Sequence, residues 1–250
     1  MSRKLGLRMR ITIALSALLA AALLAPAARA DRRTLIRAYE YMTQPEGNLE
    51  LEIWNDVSAP TSGFDQASTQ QRIELEYGLT DHWDLALYHV FGQDPGGPYK
   101  FDSWRLETRY RLFEKNVLPV DVELYLEVER PADFSQHWIT EEKLILEKEV
   151  GRFALVGNLR LEQKPFHGNE GYELEVDLGA RYEIAPQLRL GAELWTIRET
   201  VGDETAAQYF LGPSVSFATR RFWLQLGAGF GLGDSTSGAT FVRSVLGINL

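Results

Sequence analysis

Residues Phe101 to Arg130 read FDSWRLETRYRLFEKNVLPVDVELYLEVER, and this stretch decides the fold. In its first half Arg105, Glu107, Arg109 and Arg111 alternate with Trp104, Leu106, Thr108, Tyr110 and Leu112. In its second half Asp121, Glu123, Tyr125, Glu127 and Glu129 alternate with Val120, Val122, Leu124, Leu126 and Val128. Successive side chains of a strand point to opposite faces, so a period of two predicts two long β-strands, each ionised on one face and apolar on the other. Glu114 to Pro119 reads as a short turn between them. Symmetric pairing about that turn would set Arg111 opposite Asp121, Arg109 opposite Glu123 and Arg105 opposite Glu127. Opposite charges directly across a hairpin are favourable, so charge and hydrophobicity agree on this register.

The same alternation runs outward in both directions. It predicts strands near 49–54, 69–78, 82–91, 100–113, 119–130, 137–150, 153–164, 171–184, 188–198, 206–218, 222–232 and 239–250. Thr140 to Val150 has a helix-forming composition, yet Leu144, Leu146, Lys148 and Val150 keep the two-residue period and read as strand. Short connections fall at Leu79-Thr80-Asp81, Glu114 to Leu118, Gly151-Arg152, Ala185-Pro186-Gln187 and Thr219-Arg220-Arg221. Longer loops, richer in glycine and proline, fall at 55–68, 92–99, 131–136, 165–170, 199–205 and 233–238. Short and long connections in alternation are what an up-and-down barrel of the outer membrane shows, with the short turns on the periplasmic side.

Alternation alone does not say which face is inside. Twelve strands enclose a lumen wider than the eight-strand case that side chains just fill, and an apolar lumen of that width would need a plug or a large lipid. Aromatic residues also gather near both strand ends, as at Tyr77, Trp83, Tyr110 and Phe153 beside short turns and at Trp54, Phe101, Trp104 and Trp138 beside long loops. Two such belts match two membrane interfaces. The expected fold is therefore all-β, an up-and-down antiparallel transmembrane β-barrel of about 12 strands, with the apolar face toward lipid.

The N-terminus reads as a secretion signal over residues 1–30. Arg3, Lys4, Arg8 and Arg10 form a basic start, Ile11 to Leu24 an apolar core, and Ala28-Arg29-Ala30 a small-residue cleavage site. Cleavage after Ala30 would remove five basic residues and no acidic ones, taking the formal charge from -9 to -14. So acidic a chain argues against nucleic acid as a partner. There is no cysteine, so disulfides cannot hold an exported fold together. Residues 31–48 remain ambiguous between a periplasmic lead-in and an extra short strand, and 49–250 make the barrel.

Several stretches carry a resemblance. They are Tyr39-Glu40-Tyr41 through Gly47-Asn48-Leu49-Glu50-Leu51-Glu52-Ile53-Trp54, then Glu74 to Asp81 with Trp83-Asp84-Leu85, then Arg109 to Leu112 and Leu124 to Glu127. On these the chain is similar to a family of uncharacterised Gram-negative outer-membrane β-barrel proteins, porin- or transporter-like. That resemblance implies the barrel architecture and an outer-membrane location, and it brings no catalytic residues.

The inward set on this reading includes Arg72, Glu74, Glu76, Arg105, Glu107, Arg109, Arg111, Asp121, Glu123, Glu127 and Glu129. Acids outnumber bases across the predicted inward positions. One expectation is a water-filled, cation-preferring conduit, since rings of carboxylates favour cations. The other is an interlocked charge network that fills the lumen and conducts little. Small cations or small polar solutes, outer-membrane lipid and the barrel-assembly machinery are the partners these readings imply.

Nothing in the motifs points to catalysis, a cofactor or a metal. Glu74 and Glu76 belong to a general strand pattern rather than an acid–base pair. The glycines of Gly227-Ala228-Gly229-Phe230-Gly231 lack nucleotide-loop spacing and read as points where a strand bends or leaves lumen space. Gly233-Asp234-Ser235 reads as a turn. The histidines, His82, His89, His137 and His167, are not spaced as metal pairs, and a hydrolase using a hydroxyl beside His89 or His137 is the remaining enzymatic alternative.

Overall fold

The structure, a computed structural model, describes residues 33–166 and 169–250. The signal-peptide reading of residues 1–30, Asp31 and His167 lie outside the described residues.

Twelve antiparallel strands follow one another around a closed barrel in chain order. They are β1 (Leu49–Ala59), β2 (Ser68–Thr80), β3 (Trp83–Gln93), β4 (Lys100–Arg111), β5 (Asp121–Pro131), β6 (Ile139–Val150), β7 (Phe153–Phe166), β8 (Asn169–Ala185), β9 (Leu188–Val201), β10 (Glu204–Ala218), β11 (Phe222–Gly231) and β12 (Thr240–Asn249). Closure comes from β12 pairing with β1, with Leu51 opposite Ile248 and Val57 opposite Val242. No sheet edge is left open, which removes the unpaired backbone groups that hydrocarbon could not satisfy.

The faces sort as the alternation requires. Along β4 Leu106 is 54% exposed while its neighbour Glu107 is 1% exposed. Leu124 and Leu126 on β5 and Leu224 and Leu226 on β11 likewise stand on the outside, between buried Glu123, Tyr125, Trp223 and Gln225. A barrel with leucines outside and carboxylates inside is built for lipid around it, not water.

Three expectations are corrected. The β4–β5 register is displaced by two residues, with Arg111 opposite Glu123, Arg109 opposite Tyr125, Glu107 opposite Glu127 and Arg105 opposite Glu129. An even shift keeps every side chain on its face. Its cause lies in the connection, which runs over 112–120 and turns at Asn116 with φ 66°. Asp121 accepts a bond from the Asn116 amide at 2.6 Å and so caps this connection instead of pairing with Arg111. The two-length rule for connections also fails in places. Residues 202–203, inside a predicted long loop, form a two-residue turn between β9 and β10 with Gly202 at φ 59°, while 112–120 on the short-turn side is long. Finally, Trp54 belongs to the inward face with Glu50 and Glu52, is 1% exposed, and is no part of an outer aromatic belt.

Candidate functional site

Each singled-out lumen residue lies on the inward face, and the wall brings most of them into bonded groups. Arg72 reaches Asp56 at 3.0 Å, and Arg243 grips the same carboxylate at 2.7 Å. Glu74 accepts from the Trp54 indole at 2.8 Å. Glu76 pairs with Arg109, which also reaches Asp84 at 2.8 Å. Arg105 spans Glu127 at 3.2 Å and Glu129 at 2.9 Å, and Glu107 accepts from the Tyr88 hydroxyl at 2.5 Å. Glu123, across the strand pair from Arg111, also serves the segment that precedes β1. It accepts from the backbone amide of Met42 at 2.8 Å. Arg111 turns outward along the turn to the carbonyl of Asp81 and lies 5.6 Å from the Tyr41 ring centroid.

The Met42 contact leads to the feature that sequence reasoning left open. Residues 33–46 form no strand; 33–44 run inside the barrel, and Pro45 and Glu46 are exposed. Followed back from Gln44, this segment meets the wall strand by strand. The Gln44 amide donates to Asp84 on β3 at 2.9 Å and the Met42 amide to Glu123 on β5. The Tyr41 amide donates to Glu147 on β6 at 2.9 Å. Asn158 on β7 accepts from the Tyr39 amide at 2.5 Å and returns a bond to the Tyr39 carbonyl at 3.0 Å. On β9, Glu193 accepts from the amides of Ile36, Arg37 and Ala38, the last two at 2.8 and 2.9 Å. Thr34 meets Ser216 on β10 at 3.1 Å, and Gln225 on β11 donates to the Leu35 carbonyl at 2.5 Å. Arg33 completes the circuit by lying 3.9 Å from the Tyr39 ring centroid and 4.9 Å from that of Trp54 on β1. The segment is thus a collar that follows the inner circumference in the short-turn half of the barrel.

Why a segment without regular structure can sit there follows from hydrogen-bond accounting. A buried amide without a partner costs about 1–3 kcal/mol, so a coil in a closed barrel needs acceptors from elsewhere. The wall carboxylates supply them. Ionic anchors add to this: Glu40 pairs with Arg181 at 2.8 Å, and Arg37 donates to Glu175 at 2.7 Å. Burial works against charge on Arg37, but the facing Glu175 carboxylate outweighs it and holds the guanidinium above its ordinary value.

Glycines make the room. A Cβ added at Gly191 would lie 2.7 Å from Leu35, one at Gly227 2.6 Å from Ile36, and one at Gly78 2.6 Å from the carbonyl of Gln44. Gly179 likewise abuts Leu35. The reading of the β11 glycines as lumen space therefore has concrete occupants, Ile36 at Gly227 and the Trp195 ring at Gly229. Inward glycines on β8, β9 and β11 were the available signal for the collar.

Above the collar, toward the long-loop end, a polar cavity of about 400 Å³ remains, bounded by Arg37, Tyr39, Arg72, Arg105, Lys143 and Arg160 among others. Its wall is tied by ion pairs. Arg160 alone faces Glu141 at 2.9 Å, Glu162 at 2.8 Å, Glu175 at 2.5 Å and Glu173. Among the described residues, Glu50, Glu52 and Glu76 bring carboxylate oxygens within 4.8 Å of one another. Protein donors already serve this group, with the Trp223 indole on Glu50 at 2.8 Å and the Gln44 amide side chain on Glu76 at 3.2 Å. His89 lies on the outer face against Phe101 and Trp104, with ring centroids 6.3 and 6.2 Å away.

No protein-family model and no curated protein sequence matches the chain. Among solved structures it is similar to the COG4313 outer membrane channel from Pseudomonas putida F1, at a TM-score of 0.63 and 14% identity, over 86% of this chain and 100% of that one. The fold is that of an outer-membrane porin or channel. The NanC porin (TM-score 0.58, 8% identity, 80% of this chain and 100% of that one) and the KdgM porin (0.56, 12%, 80% and 99%) agree with this. Twelve strands, closure and an apolar exterior are the build of a barrel set in lipid, the architecture these outer-membrane structures share.

Proposed function

We propose that this protein is a small porin-like conduit of the outer membrane whose acidic lumen prefers cations or small polar solutes. The observation that carries the reading is the charge balance inside: among the described residues, buried carboxylates outnumber buried arginines and lysines by more than two to one. Glu193 has three backbone amides for donors, which satisfy hydrogen bonds without cancelling charge. Carboxylates at close quarters lower the energy of a passing cation and raise that of an anion. The lumen-lining set runs from Arg72, Glu74 and Glu76 through Arg105, Glu107, Arg109 and Arg111 to Asp121, Glu123, Glu127 and Glu129. On this reading the protein is not an enzyme, it reaches the membrane through a cleaved signal peptide, and the barrel-assembly machinery inserts it.

A second reading has its own support. The collar and the Arg160 network fill much of the interior, as a closed structural barrel would require. Planar-bilayer conductance of the full mature chain in a salt gradient separates the two. A conduit gives discrete steps with a cation-shifted reversal potential. Silence from protein shown to be folded by its heat-dependent gel mobility, or an anion-shifted potential, contradicts the first reading.

A further inference from the structure

We infer that the short-turn half of the barrel is a binding site for an extended polypeptide backbone, occupied by residues 33–46 of the same chain as a displaceable plug that sets how often the conduit opens. The inference rests on the conduit reading above.

Recognition here is of the main chain. Seven amides, those of Ile36, Arg37, Ala38, Tyr39, Tyr41, Met42 and Gln44, donate to wall side chains rather than to a strand ladder. A segment held by a ladder would be part of the wall. One held by side-chain acceptors is a ligand of the wall, and each of its bonds can be exchanged for water without breaking the barrel. It joins the wall at the rim through Gly47, whose φ of 77° is a conformation glycine adopts freely, and whose amide bonds the Gly78 carbonyl at 2.9 Å. A hinge of this kind lets the segment leave while β1 stays paired.

What the segment would leave behind also matters. Gly179, Gly191 and Gly227 put bare backbone where Leu35, Thr34 and Ile36 now rest, so withdrawal of the segment vacates space that no wall side chain occupies. That space runs beneath the polar cavity bounded by Arg37, and Arg37 is itself a residue of the plug. Withdrawal therefore removes the floor of the cavity. It also unmasks the oxygens of Glu193, Glu147, Glu123 and Asp84 toward the lumen. The same event opens the path and makes it more acidic.

The chain has no cysteine, which permits a clean lock. Thr34 Oγ1 and Ser216 Oγ are 3.1 Å apart, so the double variant Thr34→Cys, Ser216→Cys places two thiols at bonding reach between plug and wall. Conductance of the full chain is recorded oxidised and then after reductant is added to the same bilayer. The expected result is a rise of about tenfold in the frequency of openings on reduction, with cation selectivity unchanged. A second variant, Glu193→Ala, needs no lock. Losing the acceptor of three plug amides should raise the opening frequency of the unmodified chain by about tenfold or more. Openings equally frequent in the oxidised, reduced and Glu193→Ala proteins would overturn the plug and leave the conduit standing. Failure of the two cysteines to join in folded protein would overturn the placement of the segment. No openings in any of the folded proteins would overturn the conduit, and the plug as its gate falls with it.

Discussion

Carboxylates in the two halves of the lumen are satisfied in different ways. In the long-loop half, guanidinium and ammonium groups do it: Arg160 among Glu141, Glu162, Glu173 and Glu175, Lys143 on Glu141 at 3.0 Å, and Arg105 between Glu127 and Glu129. In the short-turn half, Glu193 turns to three backbone amides, Glu123 accepts from another, and Asp84 and Glu147 divide themselves between an amide and a cation. The difference teaches what each half can do. Ion pairs between strands brace the wall, and removing a member strands charge inside it. Amide bonds hold a guest, and removing an acceptor frees the guest while the wall stands.

The largest effect should come from breaking the brace. Arg160→Met leaves four carboxylates crowded without their shared cation, and losing one partner of a buried ionic group costs about 3–5 kcal/mol. Urea unfolding in lipid should show that loss, with the amides of residues 36–38 as protected as before. Next comes the guest. Glu193→Ala should lower the free energy of local opening at Ile36, Arg37 and Ala38 by about 3 kcal/mol, since bonds to a charged acceptor are the stronger kind. The unfolding midpoint of the barrel should move little. If both variants lowered barrel stability alike, the two halves would not be distinct. A smaller effect is expected at Gly179→Val, where added carbon meets Leu35 and overpacking costs about 1–3 kcal/mol, read as easier protease cutting within residues 33–46. The least should come from Arg111→Gln. Its guanidinium reaches the Asp81 carbonyl at the exposed turn and lies over the Tyr41 ring, and such contacts are worth about 1 kcal/mol or less by the same unfolding assay.

The wall was legible because it is local: a two-residue period names strand, face and lipid side at once, and all twelve predicted strands are present. Register was less so. Parity survives a shift of two, and the turn that sets it depends on Asn116 and Asp121 meeting across the connection, which charge pairing of Arg111 with Asp121 concealed. Trp54 shows the opposite error, since its parity with Glu50 and Glu52 already placed it inside. The collar was not legible. Leu35 to Tyr41 carries no period because its partners are spread over β6, β7, β8, β9, β11 and β12, up to 207 residues away in sequence. The candidate inward residues were found by alternation, but that Glu123 also serves an amide depends on that distant segment.

Amide hydrogen exchange on the folded full-length protein, resolved through residues 34–44, tests the central claim most directly. Segment and wall should both be protected, with exchange at Ile36, Arg37, Ala38, Tyr39, Tyr41, Met42 and Gln44 slower than in a free peptide yet faster than in the wall strands, because the segment opens locally without global unfolding. Exchange at the rate of a free peptide through this stretch, beside a protected barrel, would mean that the wall carboxylates hold no guest.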